Sequence, residues 1–262
     1  MASPQQAVSH EEISPEIDPF DFYAKEILEK LESLELPYED GIPMETNWHR
    51  LQMNLLIEIV EQHWKDRTDF FAGGNMFIYF SMQQVKNQDY RGPDFFVVKD
   101  TDGRKDRKSW IVWEEGGRYP DVIIELASPS TIKTDLEFKR KLYERVFNTR
   151  EYFCYDPETK TLYGWHKDNS RYKPIPVDEN GRMECRELGL WIGLWEGKHL
   201  GLNASWLRFF TENGELVLKF DEAERKRADR EGKRANEQQE RAEAAEKELE
   251  RLRALLSEKR VE

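Results

Sequence analysis

The segment Val122-Ile123-Ile124-Glu125-Leu126-Ala127 constrains this chain more than any other. Five of its six residues are apolar, which reads as a strand buried on both faces, and such strands belong to sheets covered by helices. A carboxylate inside that run has no water to solvate it, and an unpaired charge there costs several kcal/mol. Glu125 therefore requires a strong partner: an Arg or Lys ion pair, or a bound cation.

Around this strand the periodicity alternates between helix and strand. After a leader, Phe22, Tyr23, Ile27, Leu31 and Leu34 recur at helical spacing until Pro37. A second helix is expected to start near Asn47, a good cap residue, with Trp48, Leu51, Leu55 and Ile59 on one stripe. Asp69-Phe70-Phe71 and Met76 to Phe80 read as two strand segments around a Gly73-Gly74 turn. Phe95 to Val98, Trp110 to Trp113 and Val122 to Leu126 are further strands, rich in β-branched and aromatic residues. A helix is expected from Asp135 to Phe147, opened by a capping box of Thr134 and Glu137. Glu151 to Tyr155 returns as a strand. Thr161 to His166 and Tyr172 to Val177 suggest a β-meander extension, followed by the aromatic run Leu188 to Trp195. This order predicts an α/β fold with a mixed central sheet flanked by helices.

From Asp221 onward proline is absent and Gly232 is the single glycine. Ala228, Glu231, Ala235, Gln238, Ala242, Ala245, Leu249, Leu252 and Leu256 alternate spacings of three and four, a heptad seam dominated by Ala early and Leu late. A coiled-coil-like helix is expected there, with a solvated single helix as the alternative, and with it a homodimer. The chain divides into a leader and short helix (1–40), an α/β domain with its β-meander (41–215) and a charged helical tail (221–258).

Charge and composition narrow the function. The net charge is −12, of which the tail, with 13 acids and 12 bases, carries −1 and the body −11. An acidic chain is a poor general nucleic-acid coat. It can still be a nuclease, since a metal site needs carboxylates and a basic patch can be local; Arg104 to Lys108 is one such candidate, or else a solvated loop. Cys154 and Cys185 form no CxxC pair, which argues against a disulfide framework or thiolate zinc site and for a cytoplasmic protein. The first residues lack the basic start and apolar stretch of a signal peptide, and no run approaches a membrane span of about 18 apolar residues.

Asp94, after Gly92-Pro93, opens the strand Phe95 to Val98 and can stand beside Glu125 if the two strands are neighbours. Asp121 is a rival, but it lies four residues before Glu125 on the same strand face, roughly 13 Å away at about 3.3 Å per residue. A magnesium ion holds its oxygen ligands at about 2.1 Å, so Asp94 is the better partner. Asp135, Lys139 and Tyr143 are spaced four apart on one helix face, an ordinary stabilising pair or a site lysine. Glu45 and His49 flank Trp48 on the first helix. His49 shares a stripe with Met53, Leu56 and Val60, as a packed histidine would. Gly73-Gly74 lacks the Lys-Ser/Thr of a phosphate-binding loop.

Taken in order, Pro93-Asp94, then Pro120-Asp121-Val-Ile-Ile-Glu125-Leu-Ala-Ser128-Pro129-Ser130, then Asp135-(x3)-Lys139-(x3)-Tyr143, then Glu151-Tyr152-Phe153 and Asp156-Pro157, this chain is similar to the Uma-type putative restriction endonuclease family of the PD-(D/E)XK nuclease superfamily, over Glu45 to Trp195. The resemblance implies a restriction-endonuclease-like core that binds Mg²⁺ or Mn²⁺ and hydrolyses a phosphodiester bond of DNA. Asp94 matches the PD aspartate and Glu125 the (D/E) position, both metal ligands. The lysine expected two residues after Glu125 is Ala127 here, and Lys139 is the substitute, completing a catalytic set of Asp94, Glu125 and Lys139 that Glu45 and His49 would assist. Two functions follow: a metal-dependent endonuclease, or a catalytically inactive nuclease-fold interaction protein working through its coiled-coil tail. Convergence of Asp94, Glu125 and Lys139 on one solvent-reachable point favours the first.

Overall fold

The computed structural model of this protein describes residues 46–81 and 92–258. The leader and the helical pattern around Phe22 to Leu34 lie outside the described residues. Helix α1 spans Asn47–His63. Its cap is Thr46 rather than Asn47: the Thr46 hydroxyl accepts the His49 amide at 3.1 Å, satisfying one of the orphan donors of the first turn. The buried stripe is Leu55, Leu56, Ile59 and Val60. Gln52 is buried with them because its amide exchanges two hydrogen bonds with the backbone of Leu207, donating to the carbonyl at 2.9 Å and accepting from the N–H at 2.7 Å.

The strands are β1 (Phe70–Gly73), β2 (Ile78–Tyr79), β3 (Phe95–Lys99), β4 (Trp110–Ile111), β5 (Val122–Leu126), β6 (Glu151–Asp156), β7 (Thr161–Asp168), β8 (Arg171–Pro174), β9 (Met183–Cys185), β10 (Leu190–His199) and β11 (Leu202–Phe210). The main sheet has the order β1-β3-β5-β6-β7-β8, mixed because β5 and β6 run parallel while the other neighbours are antiparallel. Strands β11-β10-β9 form a second sheet, and β2 and β4 a short parallel pair. A parallel pair needs a crossover. Here it is helical: α2 (Ile132–Thr134), a π-helical turn (Asp135–Lys139) and α3 (Arg140–Arg145).

Period-two alternation on β5 sorts the core into two layers. Val122, Ile124 and Leu126 face α1 and the β9–β11 sheet, packing with Leu55, Phe95, Phe153 and Phe209. Ile123 and Ala127 face the crossover with Phe96, Tyr143, Phe147 and Tyr152. Glu125 is on that second face.

Several expectations need correction. The two strand segments lie on either side of a bend at Gly74 and Asn75 as expected, but they do not pair with each other: β1 pairs with β3 and β2 with β4. The capping box of Thr134 and Glu137 does not form. The crossover begins earlier, where Ser128 donates its amide to the Thr131 hydroxyl at 2.9 Å, and Thr134 already has helical dihedrals. Strand β8 ends at Pro174, leaving Val177 in an isolated bridge with Met183. Strands β9 and β11 were not expected.

Helix α4 spans Phe220–Glu258, 39 residues and so roughly 58 Å. Its root is fastened by Arg208 of β11, a fully buried guanidinium that donates to Glu222 at 2.8 Å and to the Val217 carbonyl at 2.9 Å. From Glu224 to Leu249 every residue is exposed. Among the described residues no helix is long and apolar enough to cross a membrane.

Candidate active site

The register of β3 against β5 pairs Phe95 with Ile124, which sets Asp94 across from Glu125 at the end of both strands. The Asp94 amide points at Glu125 Oε2 at 3.5 Å. Asp94 itself is oriented from two sides: Oδ1 meets His49 Nε2 at 2.7 Å and Oδ2 accepts the Leu126 amide at 2.7 Å. Close chain approach makes this possible. A Cβ at Gly74 would stand 2.6 Å from the Asp94 carbonyl oxygen and from the Met53 side chain, so only glycine fits, and the neighbouring Asn75 amide donates to the Pro93 carbonyl at 2.9 Å.

Glu125 is fully buried. Tyr143 of α3 donates its hydroxyl to Oε1 at 2.6 Å, and Lys139 Nζ stands 3.0 Å from Oε2. The same ammonium is 2.9 Å from Asp135 Oδ1. Lys139 is thus both things its spacing allowed, the i,i+4 partner of Asp135 and the cation beside Glu125. The π-helical turn carries this arrangement, since its extra residue keeps Asp135 and Lys139 aimed inward while α3 still presents Tyr143; such turns occur frequently at functional sites. Tyr152 of β6 pins the turn by donating to the Asp135 carbonyl at 2.9 Å.

The electrostatics follow from one ammonium among three carboxylates. Burial pushes the Glu125 carboxyl up to about 8; Lys139 opposes the rise, and the Asp94 and Asp135 carboxylates add to it. For Asp94 burial also works upward, but the His49 hydrogen bond and charge, Lys139 and the Leu126 amide outweigh it and hold it below the ordinary carboxylate range. Burial disfavours the Lys139 ammonium, yet Glu125, Asp135 and Asp94 together raise its pKa and keep it charged. The Tyr143 phenol is raised well above its usual value by burial and by Glu125. The cluster is therefore short of positive charge, which favours a proton on Glu125 to higher pH than for an ordinary carboxylate.

The donor set suits a hard divalent cation. Among the described residues no three His, Cys, Asp or Glu side chains form a ready metal cage, which is unlike a structural zinc site. Magnesium instead commonly takes one or two carboxylates and fills its shell with water and substrate phosphate. Asp94 and Glu125 fit that pattern. Lys139 and Asp94 keep side-chain exposures of 22% and 17%, so the cluster is reached from solvent at its Asp94–Lys139 edge.

The other candidates fall elsewhere. Asp121 sits before the first residue of β5, accepting the Lys99 amide at 2.8 Å and facing Arg150 at 3.5 Å. His49 is joined to Asp94 instead of being merely packed, and Glu45 lies outside the described residues. The Arg104 to Lys108 stretch is no open patch. Arg107 has a side-chain exposure of 2%, is held by Glu115 at 2.9 Å and lies over the rings of Phe71 and Trp110, while Lys105 reaches the same carboxylate at 2.7 Å.

The chain belongs to the Uma2 family, whose description is "Putative restriction endonuclease"; the family's profile matches residues 21–202. The match takes in the helical pattern around Phe22 to Leu34 and ends before α4. No curated protein matches the chain. The crystal structure of a putative nuclease belonging to DUF820 from Anabaena variabilis is similar at 17% identity and a TM-score of 0.37, covering 59% of this chain and 90% of that one.

Proposed function

We propose that this protein is a metal-dependent endonuclease that hydrolyses DNA phosphodiester bonds at the Asp94–Glu125–Lys139 cluster. The observation that carries the reading is the convergence of those three side chains from β3, β5 and the π-helical turn, with 3.0 Å between Lys139 and Glu125 and 3.5 Å between the Asp94 amide and Glu125. Asp94 and Glu125 would hold Mg²⁺ or Mn²⁺, which lowers the pKa of a bound water and offsets charge on the phosphoryl oxygens. His49 and the Leu126 amide orient Asp94, and Tyr143 fixes one oxygen of Glu125. Lys139, kept charged by three carboxylates, is the donor positioned to stabilise the additional negative charge of the transition state. Ala127, where the superfamily pattern has lysine, is buried against the crossover, and Lys139 supplies the ammonium from that side.

A second reading has its own observation. The seam residues Ala228, Ala235, Ala242, Ala245 and Leu249 are exposed on α4, as are their neighbours from Glu224 to Leu249, so the heptad pattern is available to a coiled-coil homodimer and, if turnover is absent, to an interaction protein working through its tail. Incubating plasmid and single-stranded DNA with Mg²⁺ or Mn²⁺, against a chelated control and Glu125→Ala, separates the two. Metal-dependent cleavage lost in Glu125→Ala supports the enzyme; no cleavage by the parent under any of these conditions leaves the interaction protein.

A further inference from the structure

The second site of interest lies where the end of α1 meets the first turns of α4. The Phe220 amide donates to Glu58 of α1 at 3.2 Å, and Arg208 of β11 holds the root of α4 through Glu222. Between the two elements is a cleft of about 540 Å³ lined by Lys65, Lys226, Arg227, Arg230 and Arg234. The lining carboxylates are Glu224 and Glu231, and Glu231 is engaged by Arg227 at 3.0 Å. Lys65, Lys226, Arg230 and Arg234 are exposed and, among the described residues, have no ion-pair partner. In a chain of net charge −12 this is an unneutralised concentration of cations on a cleft wall. In the Arg104 to Lys108 stretch, denser in sequence, Lys105 and Arg107 are instead held by Glu115.

We infer that this cleft binds the phosphate backbone of duplex DNA flanking the bond to be cut. The inference rests on the endonuclease reading for its substrate and on the cleft for its location. Its chemistry is that of phosphate contact: Arg and Lys side chains with spare donors, spaced along one face of a helix and met by a lysine from a second element. Helix α1 links the two sites. His49 stands at the catalytic cluster and Lys65 just beyond the other end, 16 residues on and so roughly 24 Å away at 1.5 Å per residue. That separation corresponds to roughly seven phosphates along one strand of a duplex at 3.4 Å each. A duplex that reached both would have to span that distance along α1.

The test is equilibrium binding of the full chain to a short fluorescent duplex in EDTA, across a salt series, comparing the parent with the double variant Arg230→Gln/Arg234→Gln. Both side chains are exposed, and a thermal melt verifies folding. Each phosphate contact contributes a slope of about −0.9 to log affinity against log salt, so the double variant should bind about tenfold more weakly or worse and flatten the slope by about 2. Lys247→Gln/Arg251→Gln, farther along the same helix, should match the parent. An unchanged slope in the cleft variant, or an equal loss in the distal variant, overturns the assignment. Tighter binding of the parent to phosphatidylserine vesicles than to duplex overturns it too, by giving the cleft to an anionic surface. The endonuclease reading is scored separately by Glu125→Ala cleavage: weakened binding in the cleft variant supports the cleft even if no metal-dependent cleavage is found.

Discussion

Glu125 at the end of β5 and Glu151 at the start of β6 are both buried in the main sheet, on neighbouring parallel strands, and they are held in opposite ways. The Glu151 carboxylate accepts the Arg186 amide at 2.9 Å, the Glu187 amide at 3.0 Å and the Cys185 thiol at 3.2 Å. Those partners belong to β9 and the turn after it, so Glu151 ties the second sheet to the first, and two of the three are backbone groups that cannot swing away. Among the described residues, Glu125 is held by the side chains of Lys139 and Tyr143 and by the approach of the Asp94 amide. A carboxylate satisfied by fixed amides is finished; one satisfied by a lysine can exchange partners. Burial raises the pKa of both carboxyls, so the depth of a glutamate does not distinguish structure from chemistry. The mobility of its partners does.

The sharpest way to break this contrast is through activity. Glu125→Ala should abolish metal-dependent cleavage, and Lys139→Ala should lower it by about 10²-fold, the scale of removing one transition-state donor. Mn²⁺ titration by calorimetry should show binding kept in Lys139→Ala and lost in Glu125→Ala. Glu151→Ala should cleave at the parental rate per folded molecule; a loss as deep as that of Glu125→Ala would erase the distinction.

Stability should show the reverse order. Glu151→Ala removes a buried carboxylate and leaves two part-buried amides without their acceptor, and should cost about 1–3 kcal/mol in urea unfolding. Glu125→Gln keeps shape and most hydrogen bonds and should cost less.

A third difference is in pH. With its folded pKa raised from 4.5 to about 8, Glu125 contributes stability that is fully present below its unfolded pKa and is lost as pH rises through about 8. Without metal, the melting temperature of the parent relative to Glu125→Gln should therefore fall across that window. A constant difference would mean that Glu125 is not protonated when folded.

The smallest effect concerns Glu115, a third carboxylate, saturated by Lys105 and Arg107. Arg104 lies outside that knot with 80% of its side chain exposed. Arg104→Gln should change stability by less than about 0.5 kcal/mol and leave the salt dependence of DNA binding unaltered.

Much of the fold was legible because the main sheet is written in apolar runs. Val122 to Leu126 is a strand with the expected bounds, and Phe95 and Glu151 begin strands where expected. Glu125 was legible because a carboxylate in such a run has few physical excuses. Strand β11 escaped because Asn203, Ser205 and Arg208 interrupt its pattern; Arg208 reads as a surface residue until its partner Glu222, in the next element, is known. The π-helical turn escaped because a spacing of four residues suits an ordinary helix equally well. The Arg104 to Lys108 cluster, read as a local basic patch or a solvated loop, hides the burial of Arg107 for a related reason. A basic cluster in sequence says nothing of the acid across the loop that neutralises it.

The π-helical turn also makes the protein's chemistry a matter of reading frame within a helix. A π turn is an α-helix that has accepted one additional residue. Deleting a single codon between Leu136 and Phe138 would let the helix rewind as regular α with its two ends still in phase, because the π turn is what absorbs the extra residue. Asp135 and Lys139 would then stand three residues apart, about 60° from one another around the axis at roughly 100° per residue, which would move the Lys139 ammonium relative to Glu125 while Tyr143 stayed in place. On the endonuclease reading, the length of this turn is the first thing to inspect in a relative of the same fold that does not cleave.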